Sequence, residues 1–209
     1  MKISLQKVTK RYGYTPIIKD VSLNLFDNQK IGLSGANGSG KSTLIKMISG
    51  YLSQSTGTIS YESNHRNIDR DEVYKEVSFA APYICTSEQF TLKEHFIFYT
   101  GHKKLRTSYS YNQYLDSLEM VDPKDKYIQH FSSGMKQKIL ISFAILSDTQ
   151  LLLLDEPTSF LDDKAKEWFH AMLENNRTNR TVVIASNDAS DFGVCDVRFR
   201  IEGGGVVGL

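Results

Sequence analysis

Gly35-Ala36-Asn37-Gly38-Ser39-Gly40-Lys41-Ser42-Thr43 carries the spacing G-x-x-x-x-G-K-[ST], and no other stretch constrains the fold of this chain so tightly. Ile31-Gly32-Leu33-Ser34 before it reads as a strand, and Thr43-Leu44-Ile45-Lys46-Met47-Ile48 after it reads as a helix. Strand, glycine-rich loop and helix in that order predict a phosphate-binding loop. The glycines let backbone N–H groups curl around phosphate oxygens, and the helix N-terminus adds unpaired donors and a favourable dipole. In such a loop Lys41 reaches the β- and γ-phosphates and the Ser42 hydroxyl ligates Mg2+. Gly35, Asn37, Gly38, Ser39, Gly40 and Thr43 complete the predicted nucleotide contacts. The motif predicts a nucleoside triphosphate and leaves open what its binding drives.

The bulk properties narrow the classes. A chain of 209 residues makes one large domain, or a domain with a lobe. With 40% hydrophobic and 23% charged residues it reads as a globular protein able to bury a core. A formal net charge of +1 supplies no field for nucleic acid. Cys85 and Cys195 sit far apart on apolar stretches, so a disulfide scaffold and a metal pair are both disfavoured and a reducing compartment is expected. No apolar run approaches the ~20 residues that cross a bilayer. Met1-Lys2-Ile3-Ser4 lacks the long apolar core of a signal peptide. The expectation is a protein neither secreted nor membrane-spanning by itself, which works at a membrane only through another chain.

Along the chain, Ile3–Val8 and Val21–Leu25 alternate apolar and polar residues and predict an antiparallel edge layer. Gly57–Tyr61 and Val77–Ala81 predict further strands, the second stopped by Pro82, and Asn64–Glu72 reads as a loop. From Thr91 to Lys126 the pattern turns helical. Leu92, Phe96 and Tyr99 share one face, and Tyr111, Leu115, Leu118 and Met120 mark a second helix. Residues 83–130 are therefore expected to form a helical subdomain inserted in the core of a single domain, 1–209. Helices at Ser132–Leu146 and Asp163–Asn175 follow, with buried parallel strands at Leu151–Leu154 and Thr181–Ala185. Gly203-Gly204-Gly205 predicts the turn of a C-terminal hairpin. The fold class is α/β, a P-loop NTPase core with an antiparallel β edge layer.

Two further segments carry chemistry. The strand Leu151–Leu154 ends in Asp155-Glu156, and ligands of open parallel sheets sit beyond the carboxyl ends of the strands. Asp155 is expected to hold Mg2+, and Glu156 to orient or deprotonate the attacking water. At Ser132, a good N-cap, a helix opens with Lys136 and Lys138 where first turns favour acids. That pattern predicts a second anion site.

Phe131-Ser132-Ser133-Gly134-Met135 resembles the LSGGQ signature of ABC (ATP-binding cassette) ATPases, keeping Ser132 and Gly134. The order of P-loop, helical lobe, signature, Asp155-Glu156-Pro157-Thr158 and Ser159-Phe160-Leu161-Asp162 agrees with that family over essentially the whole chain. The last segment resembles the D-loop that crosses the dimer interface, which assigns Asp162 to the shared site. Tyr12 stands where the family places an aromatic that stacks on adenine, as a flat ring can. The resemblance implies ATP and Mg2+ as cofactors. It also implies a head-to-tail homodimer, or a paired ABC subunit, sandwiching two ATPs.

The sequence departs from the family at two places. The family's glutamine position falls on Pro82 or Tyr83, neither of which supplies an amide oxygen, and Gln89 lies further along. The switch histidine is replaced by Asn187, which donates a hydrogen bond to a γ-phosphate but carries no charge. The resemblance therefore implies an ATPase, slowed by these replacements. It would power separate integral membrane permease subunits from the inner face of the cell membrane, and no nucleic acid partner is implied. Its size resembles small exporter-type cassettes. Tyr109, Tyr111 and Tyr114 either face such a membrane partner or pack inside the lobe. The alternatives are a soluble non-transport ABC ATPase and a regulatory P-loop nucleotide-binding protein with slow hydrolysis.

Overall fold

In the computed structural model, which describes residues 1–84, 87–121 and 123–209, the N-terminal alternation becomes strand β1 (Lys2–Tyr12). Cys85 lies outside the described residues. β2 (Thr15–Leu25) pairs antiparallel with β1, setting Ile3 opposite Leu25 and Leu5 opposite Leu23. These four side chains share one buried face, as period-2 alternation requires. β3 (Lys30–Ser34) leads into α1 (Lys41–Ile48). β4 (Thr56–Ser63) then returns to pair antiparallel with β1.

The segment expected to be a loop contains a strand, β5 (Arg66–Ile68), paired with β4. Asn64 and His65 both adopt positive φ, at 50° and 61°, which is the geometry of a tight two-residue hairpin turn. The turn sets this strand, because two of its three residues, Arg66 and Asn67, are polar and exposed. The first sheet thus runs β2-β1-β4-β5.

A short helix α2 (Val73–Glu76) precedes β6 (Val77–Ala80). β7 (Leu151–Asp155), β8 (Thr181–Ala185), β9 (Val197–Glu202) and β10 (Gly205–Gly208) complete a second sheet in the order β10-β9-β3-β8-β7-β6. β3 is parallel to β8 and β9, and β7 is parallel to β8. Leu151 to Leu154 are fully buried, as an apolar run in a sheet covered on both faces must be. Register places Leu33 and Asp155 both opposite Ala185, so β3, β7 and β8 end level with one another.

The chain divides into two compact units, residues 1–79, 149–156 and 177–209 in one, and 80–148 and 157–176 in the other. The second unit holds α3 (Leu92–His102), α4 (Tyr111–Ser117), α5 (Ser133–Leu146) and α6 (Asp163–Asn176). Capping boxes at Thr91 and Ser110 start α3 and α4. Met120 falls past the end of α4, after Glu119 turns the chain at φ 50°. The core of this unit is aromatic. Tyr114 is fully buried and stacks on Phe143 at 4.8 Å, while its hydroxyl pairs with Ser142 Oγ at 2.8 Å. Tyr114 therefore belongs to the interior and not to a docking face, and Tyr111 meets Phe96 at 5.8 Å.

Candidate functional site

The level ends of β3, β7 and β8 bring three separate stretches of sequence to one edge of the sheet. From β3 comes the glycine loop. Gly40 precedes α1 with φ 109°, and a Cβ there would lie 2.8 Å from Ile18 Cδ1. Gly35 has φ 149°, and its Cβ would lie 2.6 Å from the Ile201 carbonyl oxygen. Only glycine fits either place without moving backbone or β2.

Lys41, 6% exposed, opens α1 and folds its side chain back over the loop. Its Nζ donates to the Gly35 carbonyl at 2.7 Å, to Asn187 Oδ1 at 2.9 Å and, more weakly, to the Ala36 carbonyl at 3.4 Å. Ser39 Oγ is buried with no hydrogen-bond partner among the described residues.

From β7 come Asp155, fully buried, and Glu156. The Glu156 N–H donates to the Ala185 carbonyl at 2.7 Å, and the residue turns out of the strand at φ 47°. Its Oε1 then lies 3.7 Å from Lys41 Nζ. From β8 come Ser186 and Asn187. The Asn187 N–H points to Glu156 Oε2 at 3.4 Å, and its Nδ2 donates to Asn37 Oδ1 at 2.6 Å. Ser186 Oγ donates to the buried Asp191 at 2.6 Å.

Tyr12, Asn37, Gly38, Gly40, Lys41, Ser42, Thr43 and Glu156 line one cavity of about 420 Å³. Tyr12 is 54% exposed, with Lys10 Nζ 5.3 Å over its ring. A flat ring beside a phosphate-type loop offers a face to a base. The Ser42 hydroxyl and Asp155 carboxylate are hard oxygen donors. They suit Mg2+, which takes its remaining ligands from water and substrate phosphates.

A second cavity of about 710 Å³ shares Asn37 and Gly38 with the first, and Ser39, Ser186, Asn187 and Arg200 also line it. Sequence reasoning missed the Asn37–Asn187 bond and the Ser186–Asp191 support behind it. The polar run Ser186-Asn187-Asp188 after a buried strand was the available signal.

Ser132, Gly134 and Asp162 belong to the second unit. Ser132 Oγ caps α5 by accepting from the Met135 N–H at 3.2 Å. Gly134 packs closely, since a Cβ there would lie 3.1 Å from the Phe160 carbonyl oxygen. The buried Gln137 donates to the Pro157 carbonyl at 2.9 Å, fastening the start of α5 to the Pro157–Asp162 turn. Asp162 caps α6 through the Ala165 N–H at 2.8 Å.

The two lysines that pointed to an anion site here are both engaged elsewhere. Lys136 pairs with Glu88 at 2.7 Å. Lys138 donates to the Leu118 carbonyl and lies 4.6 Å over the Trp168 ring, where burial lowers its pKa. Neither charge is free at the helix start. Pro82, Tyr83 and Gln89 are exposed residues of this unit. Cys195 is a free thiol whose pKa burial pushes up to about 12, so it is unreactive as a nucleophile.

A glycine-loop phosphate cradle and a strand-end acid pair on one edge of a parallel sheet define a P-loop nucleotide-binding domain. Residues 18–159 match the ABC transporter family, and the chain belongs to it. It is 29% identical over 210 residues to the uncharacterised ABC transporter ATP-binding protein YybJ of Bacillus subtilis, covering 97% of this chain and 93% of that one. The mouse glucosylceramide transporter ABCA12 is 26% identical over 98% of this chain, which spans only 8% of that protein's length. Among solved structures, a dimeric ATP-binding cassette in a post-hydrolysis state bound to ADP and Pi superposes with TM-score 0.77 at 22% identity, covering 98% of this chain and 96% of that one. The fold is that of ABC ATPase domains. No helix among the described residues is long and apolar enough to cross a membrane.

Proposed function

We propose that this chain is the ATP-hydrolysing subunit of an ABC transporter, pairing head to tail around two ATPs to drive separate membrane permease subunits. The observation that carries the reading is the convergence of Lys41, Glu156 and Asn187 from three strand ends on one loop. In this reading the loop from Gly35 to Thr43 binds the phosphates, and Tyr12 stacks on the adenine. Ser42 and Asp155 would hold Mg2+, which when bound neutralises phosphate charge during transfer. Glu156 accepts a proton from the attacking water or orients it, and Asn187 donates to the γ-phosphate. Ser132, Gly134 and Asp162 act on the ATP of the opposite subunit, so each site needs both copies.

The dimeric architecture of the ADP-bound relative supports the pairing. The helical lobe at 83–130 would dock the permease at the inner face of the membrane. A neutral amide at Asn187 in place of a histidine makes hydrolysis slow. An increase in steady-state ATPase of Asn187→His is the expected check on that point. For the pairing, Glu156→Gln with ATP and Mg2+ should elute as a dimer from a sizing column. A monomer under those conditions would sink the shared-site reading.

A further inference from the structure

We propose that Asn187 is a latch on the P-loop, whose side-chain amide a nucleotide must displace before its phosphates engage Lys41. The inference rests on the reading of the P-loop as a nucleotide site. An ammonium has three N–H donors. Those of Lys41 are taken by its own chain, through the Gly35 carbonyl at 2.7 Å, Asn187 Oδ1 at 2.9 Å and the weaker approach to the Ala36 carbonyl. The Glu156 carboxylate adds its charge at 3.7 Å. A phosphate oxygen reaching Nζ has to take a donor from one of these acceptors. The backbone carbonyls belong to the loop that forms the cradle. The amide is the acceptor able to leave by a side-chain rotation.

The amide is held at both ends. While Oδ1 accepts from Lys41, Nδ2 donates to Asn37 Oδ1 at 2.6 Å. Asparagine suits this double role, being neutral and both donor and acceptor. A cation at 187 could not accept from Lys41, and an aspartate could not donate to Asn37. The amide also projects from a fixed corner, since Ser186 Oγ is bonded to the fully buried Asp191 at 2.6 Å. Lys41 lines the 420 Å³ cavity, Asn187 lines the 710 Å³ cavity, and Asn37 lines both.

Binding of ATP and ADP to the purified chain, measured calorimetrically with Mg2+, tests the latch. Asn187→Ala should bind ADP, which has no γ-phosphate for Asn187 to reach, about threefold to tenfold tighter than wild type, the scale of one hydrogen bond to a charged group partly offset by lost loop order. Asn187→Asp should bind at least about threefold weaker, because its carboxylate holds Lys41 harder and repels phosphate. A purely structural role for Asn187 would weaken both variants. Unchanged or weaker ADP binding by Asn187→Ala, with thermal unfolding as in wild type, overturns the latch. If the Ala variant unfolds early, the near-isosteric Asn187→Leu, which also lacks an acceptor, makes the same comparison. Wild-type protein that binds neither nucleotide would defeat the nucleotide-site reading itself. Wild-type binding without a gain in the Ala or Leu variant defeats the latch alone.

Discussion

Lys41 Nζ lies 3.7 Å from Glu156 Oε1, joining the first residue of α1 to the residue that follows β7. Lys41 is 6% exposed and Glu156 28%, so their charges meet where water screens them only in part. The same carboxylate that would act on water thus helps hold the lysine that would grip phosphate. Glu156→Gln keeps the shape and removes the charge. Its steady-state ATPase should fall by about 10²–10⁴-fold, the usual share of general base catalysis. ATP affinity should be retained or improved, because one negative charge beside the phosphates is gone. Parallel ATPase and equilibrium-binding measurements check the pair, and loss of both together would count against Glu156 as the base.

Lys41→Ala removes the only cation among the described residues that line the 420 Å³ cavity. It also strips the donor from Asn187 Oδ1 and the Gly35 carbonyl. ATP affinity should drop by about 10–100-fold, matching the 1.5–3 kcal/mol of a charge-assisted hydrogen bond. Circular dichroism should show α1 intact, since Leu44, Ile45, Met47 and Ile48 anchor it in the core. Undiminished affinity would remove Lys41 from the site.

What could be read from the sequence followed from how local the determining physics was. The P-loop was legible because Gly35, Gly40 and Lys41 must stand at fixed spacing for the backbone to curl, and that spacing needs no partner. Leu151 to Leu154 announced a buried strand by composition alone. β5 was illegible because Arg66 and Asn67 show no apolar period, and the strand exists through the turn at Asn64 and His65 and its pairing with β4. The lysines of α5 misled for a similar reason. Lys136 finds Glu88, and Lys138 finds the Leu118 carbonyl and the Trp168 ring, all through tertiary contacts that a helix-local charge argument cannot see. The Asn37–Asn187 bond joins residues of two motifs and became visible only once β3 and β8 were set side by side.

Gly40 tests whether the loop's shape is set by backbone conformation. At φ 109°, an alanine would be strained, and its Cβ would press to 2.8 Å from Ile18 Cδ1. Gly40→Ala should lose about 1–3 kcal/mol of stability, the typical cost of a residue held in a sparsely populated backbone region. Because the α1 N-terminus would shift to relieve the clash, ATP affinity should fall with it. Denaturant unfolding and nucleotide titration of the same preparation check the two together. A variant as stable as wild type would show that β2 gives way and that the glycine is dispensable.

His95 gives the second unit a pH dependence of predictable sign. It lies on α3, 8% exposed, with its ring 5.1 Å from Phe143 and 6.4 Å from Tyr99, and its Nδ1 has no hydrogen-bond partner among the described residues. Burial lowers its pKa below the ordinary histidine value, because the imidazolium is poorly solvated among aromatic rings. Above the unfolded-chain value of about 6.5 the residue is neutral in both states and contributes no pH dependence. As pH falls below that value, the unfolded chain takes up a proton that the folded chain refuses. Stability is then lost until the folded pKa is reached, with a slope of at most about 1.4 kcal/mol per pH unit from this one group. The melting temperature of wild type should therefore drop more steeply than that of His95→Phe between about pH 6.5 and 5. Phenylalanine keeps the aromatic packing and removes the titration. Identical slopes for the two proteins in that window would mean that His95 is protonated in the folded state as readily as in the unfolded one.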